Sequence, residues 1–170
     1  MALVWREQMS VGNTLIDNEH SYLLDQINAV ELALNTEENH DLLVETLDHL
    51  VEYTQTHFDH EEQIQLKIKY PLHEEQKDEH EKILAELNSI KKKLDKVLGS
   101  EEEDDDESAA FDEVTDDELN MLLGDDDLQS ADKNDLAPLV ELMRNWIVNH
   151  VIGSDMKMKP YLKKFPPDLS

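Results

Sequence analysis

Apolar residues recur every three or four positions in four stretches of the 170-residue chain. This spacing is typical of amphipathic helices, which bury one face and expose the other. A short polar connection at 35–39 and the Tyr70-Pro71 turn imply that consecutive helices run antiparallel. The pattern therefore predicts an all-α fold, an up-down-up-down four-helix bundle. The predicted helices span about 14–34, 41–68, 72–98 and 137–150.

Two segments fall outside this helical pattern. Residues 1–13 lack periodicity and predict an extended arm that packs Trp5 against the bundle. Residues 100–135 are dominated by runs of Glu and Asp, and a block of like charge resists collapse, so we expect a disordered acidic insert. Its apolar island at 118–123 could form a transient helix. We expect a single domain covering residues 1–170.

Composition narrows the classes of function. The formal net charge of -26 argues against binding nucleic acid, whose phosphates would be repelled. Because the chain has no cysteine, any metal must be held by histidine and carboxylate ligands. No apolar run reaches the roughly 18 residues of a membrane span, and the N-terminus lacks a signal-peptide pattern. We expect a cytoplasmic protein that does not associate with membranes.

The candidate chemistry begins with His57 and Glu61, which are four residues apart on one face of the second helix. Two side chains do not hold a transition metal against water, so other helices must contribute ligands. In an antiparallel bundle, the start of one helix lies beside the end of the next. The predicted topology therefore brings donors from four helices to one depth in the core: His20, His57, Glu61, His80, His150 and Asp155.

Each of these residues also has an ordinary structural interpretation. A lone histidine on an apolar face is usually a hydrogen-bonded core residue, and an exposed His-x-x-x-Glu pair is usually a surface contact. Several polar groups buried at one level need partners or a metal, and this grouping favours a metal site. Nitrogen and oxygen donors suit iron, manganese or zinc. We interpret the remaining histidines as surface residues or as supports for the ligands: His40, His49, His60 and His73.

Short motifs spread along the chain share the spacing of one known family. They are Val4-Trp5, Val11-Gly12, Ile16-Asp17, Glu19-His20, His57, Glu61-Glu62-Gln63, Tyr70-Pro71, Asn149-His150-Val151, Gly153 and Asp155. Together they resemble the hemerythrin family, specifically the single-domain bacterial hemerythrins. The resemblance implies a centre of two non-heme iron ions that binds O2 reversibly, with Glu61 and Asp155 bridging the irons.

The resemblance also implies a division of the histidines between the two irons. His20 and His57 would hold the iron that keeps an open position. His80 and His150 would hold the other iron, together with one more histidine.

Gln76 departs from this family pattern. The family has His-x-x-x-His after the Tyr-Pro turn, and here Gln76 stands where the first imidazole is expected. An amide oxygen is a weaker ligand for iron than imidazole, so this iron would bind Gln76 feebly, hold water, or be lost more easily. His73 is an alternative donor, one turn earlier. The departure puts stable reversible O2 carriage in doubt and favours faster oxidation or redox chemistry.

The predicted function is O2 binding for storage, delivery or sensing, by a monomer that is not an enzyme. Apolar walls would exclude water and protons from bound O2, and the side chains near His150 are suited to this role. The predicted walls are Trp146, Ile147 and Val151, which are also ordinary core residues by their spacing.

Two alternative functions stay open. Gln76 makes a di-iron redox or peroxide-handling protein credible, with oxidase-like or peroxidase-like activity. The acidic insert 100–135 suggests an interaction module that docks a protein partner in response to oxygen or redox state.

Overall fold

The computed structural model describes residues 2–34, 40–98 and 137–170, and these ranges contain helices and turns but no strand. The helices are α1 (Thr14–Leu34), α2 (His40–Ile68), α3 (His73–Leu98), α4 (Ala137–Asn149) and the short α5 (Lys159–Leu162). Three shorter turns complete the described structure: 3-10 turns at Glu7–Met9 and Asp155–Met158, and a π-helical turn at His150–Ser154.

The four long helices surround a common core. α1 packs against α2, α2 against α3, and α4 against both α1 and α3. This closed arrangement of neighbours is an up-down-up-down four-helix bundle, so the predicted fold class is confirmed. The observed starts of α2 and α3 differ from the predicted starts by one residue.

Local chemistry fixes the helix ends near the site. The Asn13 side-chain oxygen accepts the backbone N–H of Ile16 at 3.1 Å and so caps the start of α1. α2 ends at Ile68 because Lys69 adopts a left-handed φ of 52°, which is incompatible with continuing the helix.

Buried apolar side chains form two clusters that lie at different depths along the bundle. The large cluster fills the space between the long helices and includes Leu23 and Phe58. The small cluster lies where the N-terminal and C-terminal segments meet, and it includes Ile16, Ile64 and Met158. On α1 and α2, the candidate ligands lie between residues of the large cluster and residues of the small one, so they are enclosed on both sides.

The chain ends cover the outside of the bundle. The Asn28 side chain exchanges two hydrogen bonds of 2.7 Å with the Leu3 backbone, which holds the N-terminal arm on α1. Trp5 packs against the large cluster with its ring centroid 6.0 Å from that of His20, as predicted. The C-terminal tail returns to the start of α1, where the Thr14 N–H donates to the Pro167 carbonyl at 2.7 Å.

Some predictions concern residues outside the described ranges. These are the 35–39 connection, the acidic insert 100–135 and its island at 118–123. Among the helices of the described ranges, none is both long enough and apolar enough to cross a membrane.

Candidate metal centre

α2 supplies a histidine and a carboxylate on its buried face. His57 and Glu61 are one helical turn apart and at most 1 % exposed, and His57 Nε2 lies 3.5 Å from Glu61 Oε2. The same Glu61 oxygen lies 3.7 Å from Nε2 of His80, which comes from α3. Glu61 therefore stands between two imidazoles from different helices.

The π-helical turn after α4 brings His150 and Asp155 to the same side of the chain. Five residues in an α-helix would rotate their side chains about 140° apart. Instead, the Asp155 N–H bonds to the His150 carbonyl, a wider turn that aligns positions five apart. His150 Nε2 consequently lies 3.3 Å from Asp155 Oδ1. The predicted topology groups this pair, but the π-helical turn that makes the grouping possible has no signal in the sequence.

Asp155 is the second carboxylate that lies between two imidazoles. Its Oδ2 is 3.2 Å from Nε2 of His20 on α1, while its Oδ1 faces His150. The donor atoms therefore fall into two groups of four, and within each group all lie within 4.8 Å of one another. One group is His20, His57, Glu61 and Asp155, and the other is Glu61, His80, His150 and Asp155.

The buried donor atoms suit a pair of cations. Nε2 of each of the four histidines, Oε2 of Glu61 and Oδ2 of Asp155 are buried without a hydrogen-bond partner. Unpaired buried polar atoms are costly, and each cost disappears when the lone pair binds a metal. The two shared carboxylates occupy the positions that would bridge two such ions, so the residues present fit a dinuclear centre.

Burial keeps two of the histidines in the neutral form that binds metal. It lowers the pKa of His57 to about 4 and that of His80 to about 3. Only an unprotonated imidazole nitrogen can be a ligand. At neutral pH these two rings therefore offer free lone pairs.

The two carboxylates differ in electrostatic environment. Burial, and then the neighbouring charge of Asp155, raises the pKa of Glu61 well above its ordinary value. Burial also opposes ionisation of Asp155, but His150 and His20 outweigh it and lower the pKa of Asp155. Without a cation, the two carboxylates repel each other when both are ionised. A positive charge between them would offset this repulsion.

Glu19 orients the imidazole of His57. Its two oxygens lie 3.0 Å from His57 Nδ1 and 2.6 Å from His60 Nδ1. A carboxylate at Nδ1 requires the proton there, which leaves the Nε2 lone pair facing the centre. His60 thus supports a ligand, which is one of the two roles expected for it. Glu19 belongs to the Glu19-His20 motif, but its role as a partner of His57 was not predicted from the sequence.

Two further carboxylates stand behind other imidazoles and were also not predicted. Glu62 Oε1 is 2.9 Å from His80 Nδ1, and Glu79 Oε1 is 3.3 Å from His150 Nδ1. The Ser154 hydroxyl donates to both oxygens of Glu79, at 2.9 and 2.7 Å, and so fixes its position. Such partners orient ligands and raise their basicity.

Aromatic rings pack tightly around the histidines. Phe58 is 1 % exposed and stacks on His80 at 3.9 Å with an interplanar angle of 3°. It also meets His150 edge-on at 5.2 Å. The ring of Trp146 lies parallel to that of His150, at 6.1 Å and 9°. Together with the buried Ile147 and Val151, these residues form the apolar surroundings that the sequence indicated, while their role as walls for O2 stays a prediction.

Gln76 lies inside the centre, where the resemblance expects a histidine. It is 3 % exposed and contacts both shared carboxylates through its amide. The alternative donor, His73, is directed to Gln65 through a 2.9 Å contact and belongs to neither group of donor atoms. Gln65 is fully buried and was not predicted to contribute.

His49 lies away from the donor groups. His49 Nε2 contacts the Tyr22 hydroxyl at 3.1 Å on the exposed surface, which agrees with its interpretation as a surface residue. The side chain of His40 lies outside the described part of the structure.

The fold and the donor arrangement are those of four-helix-bundle proteins that hold a pair of metal ions between facing helices. More specifically, the chain belongs to the hemerythrin HHE cation binding domain family, whose sequence profile matches residues 11–162. The resemblance to bacterial hemerythrins is thereby confirmed.

Comparisons with individual proteins agree with this family. The chain is 30% identical over 79 residues to a bacteriohemerythrin of Stenotrophomonas maltophilia and 33% identical over 79 residues to those of Pseudomonas paraeruginosa and Pseudomonas aeruginosa. Each match covers 46% of this chain and 51% of the relative, so the chain spans about half the length of the curated relatives it matches. A crystal structure of a leucine-to-phenylalanine mutant shares the fold with a TM-score of 0.67 and 21% identity, covering 95% of this chain and 98% of that one.

Proposed function

We propose that this protein holds two non-heme iron ions between its four long helices and uses them to bind O2. The observation that supports this most directly is the pair of four-residue donor groups that share Glu61 and Asp155. In this assignment Glu61 and Asp155 would be shared between the two irons. His20 and His57 would hold one iron, and His80 and His150 would hold the other.

Each iron would supply the electrons and the coordination position that O2 requires. The protein's own contribution is to present the imidazoles of His57 and His80 in the neutral form, to fix their tautomers and to keep water away. Glu19 and Glu62 hold the protons of His57 and His80 at Nδ1, on the side away from the centre. Phe58 and Val151 close the apolar side of the site and are each 1 % exposed.

We propose O2 storage, delivery or sensing rather than catalysis. The relatives named bacteriohemerythrins support an O2-binding role. An apolar, tightly packed surrounding also favours reversible binding, because protons and water promote conversion of bound O2 to free peroxide. We also propose that residues 1–170 form a single domain and that the protein acts as a monomer.

The test combines metal content with oxygenation. The purified protein is loaded anaerobically with ferrous iron, desalted, assayed for iron and exposed to air and argon in turn while its absorption spectrum is recorded. We expect two irons per chain and a spectrum that returns over repeated cycles. His57→Ala should lose iron, whereas the matched control His49→Ala, on the exposed surface of the same helix, should retain two. Iron binding below two per chain in the wild-type protein would refute the proposal.

A redox or peroxide-handling protein is the second candidate, and Gln76 is the observation that favours it. A centre with fewer imidazoles exposes more of the metal to exogenous ligands. The same cycling experiment separates the two functions: complete oxidation within a single exposure to air supports redox chemistry. The interaction-module hypothesis depends on the insert 100–135, beyond the described residues, and stays a prediction.

A further inference from the structure

The Gln76 amide is part of a chain of hydrogen bonds that crosses the centre. Gln76 Nε2 donates to Asp155 Oδ1 at 2.8 Å and approaches Glu61 Oε1 at 3.4 Å. Gln76 Oε1 points the other way and accepts from Gln65 Nε2 at 2.9 Å. The nitrogen of this amide therefore faces the shared carboxylates, and its oxygen faces Gln65.

The neighbouring groups fix this orientation of the amide. Gln65 Nε2 has a second acceptor in Glu61 Oε1, at 3.1 Å, so both of its protons are used. Gln65 Oε1 lies 2.9 Å from Nδ1 of His73, and an amide oxygen can only accept, so His73 donates. Every link thus runs in one direction, from His73 through Gln65 and Gln76 to Asp155.

Reversing the Gln76 amide would break this chain at both ends. Its oxygen would then face the Asp155 carboxylate oxygen, and its NH2 group would face the NH2 group of Gln65. Two acceptors would meet at one end and two donors at the other. Because Gln65 and Gln76 are at most 3 % exposed, water cannot relieve either clash.

This orientation decides whether Gln76 is a ligand. An amide coordinates a metal through its oxygen, because the lone pair of the nitrogen is delocalised and its protons point outward. The only coordinating atom of Gln76 is bonded to Gln65, on the side away from the carboxylates. A histidine at this position would instead direct a ring nitrogen into the centre.

We infer that Gln76 is a hydrogen-bond donor that positions the bridging carboxylates, and that the iron held by His80 and His150 therefore keeps an exchangeable position. This inference rests on the proposed di-iron function. Each metal then has two imidazoles and the same two carboxylates. Iron sites with two histidines and carboxylate ligands retain open positions for small ligands. Both metals, rather than one, would then have a position available for a small ligand.

Nitric oxide is a suitable probe, because it binds ferrous iron end-on with one molecule per open position. Titration of the anaerobic di-ferrous protein, followed by absorption spectroscopy, should show two nitric oxide molecules per two irons in the wild-type protein. Gln76→Leu keeps a similar volume but lacks both amide groups, and it should also bind two. Gln76→His adds an imidazole donor and should reduce the number to one.

The result that overturns the inference is one nitric oxide per two irons in the wild-type protein. If Gln76→Leu then binds two nitric oxide molecules, Gln76 is a ligand in the wild-type protein. If Gln76→Leu also binds one, the coordination position of the second iron is closed for another reason, and the inference fails equally. Iron is measured in the same samples, so a shortfall of iron identifies failure of the proposed function instead.

A crystal structure of the wild-type protein with iron gives a readout independent of the variants. Gln76 Oε1 bonded to iron at about 2.1 Å contradicts the inference, and Oε1 still bonded to Gln65 supports it.

Discussion

Replacement of Phe58 by alanine should weaken both the fold and the metal centre. The ring is 1 % exposed, stacks on His80 at 3.9 Å and contacts His150 at 5.2 Å. Phenylalanine-to-alanine changes in protein cores cost about 3–5 kcal/mol of unfolding free energy. Since typical domains have only about 5–15 kcal/mol in total, Phe58→Ala should be folded but much less stable.

The effect on metal affinity follows from the loss of preorganisation. Without Phe58, the rings of His80 and His150 gain freedom that metal binding must remove. Immobilising a side chain costs about 0.5–1.5 kcal/mol, so two rings correspond to roughly 1–3 kcal/mol. With about 1.4 kcal/mol for each tenfold change, iron should bind roughly 5- to 150-fold more weakly.

Leu94→Ala is the matched control for this effect. Leu94 is 2 % exposed and lies on the same helix as His80, about 21 Å further along it at 1.5 Å per residue. Its loss should cost about 2–5 kcal/mol of unfolding free energy without freeing an imidazole. Unfolding in denaturant measures stability of the metal-free variants, and competition with a chelator measures metal affinity. Equal metal affinity of the two variants would show that the ring does not preorganise the ligands.

Four further predictions concern single positions. Glu61→Gln should stabilise the metal-free protein at neutral pH but abolish binding of the metal pair. Because the pKa of Glu61 is raised in the folded state, Glu61 favours folding at low pH and loses that contribution as the pH rises above about 4.5. Unfolding in denaturant between pH 4.5 and 8 will measure this difference in stability. Glu19→Gln should lower metal affinity about 10- to 100-fold, measured by chelator competition, because the charged partner of His57 is lost. Gly12→Ala should cost about 1–3 kcal/mol, since Gly12 has a φ of 90° that alanine rarely adopts. Gly153→Ala should be neutral or should stabilise the fold by up to about 1 kcal/mol, because the added carbon meets nothing within 4 Å. Its iron content should be unchanged. Thermal unfolding compares the stabilities of the two glycine variants.

The helices and their order were predictable because periodicity is a local property of the sequence. The predicted α2 and α3 begin within one residue of the observed helices, at His40 and His73. The Tyr70-Pro71 turn indicated the end of α2, where Lys69 adopts the left-handed conformation that glycine more often supplies. The depth at which the donors of α1, α2 and α3 meet was also predictable, because short connections between these helices leave antiparallel neighbours little freedom in register.

The surroundings of the donors were not predictable from spacing. Glu19, Glu62 and Glu79 are adjacent in sequence to candidate ligands, but the same adjacency occurs throughout an acidic helix surface. Their role depends on which way each helix is rotated, and only packing against the neighbouring helices decides that. Gln65 shows the same limit, because its amide matters only through the orientation it imposes on Gln76.

The turn after α4 shows how burial on both sides of a site can decide local backbone geometry. His150 and Val151 are fixed upstream by the large cluster, and Met158 is fully buried downstream in the small cluster. A regular α-helix through this segment would rotate Asp155 about 140° away from His150, out of reach of its imidazole. Widening one turn keeps both clusters packed and returns the carboxylate to the imidazoles. The position of Asp155 in the centre is thus a consequence of the two cores as much as of its own chemistry.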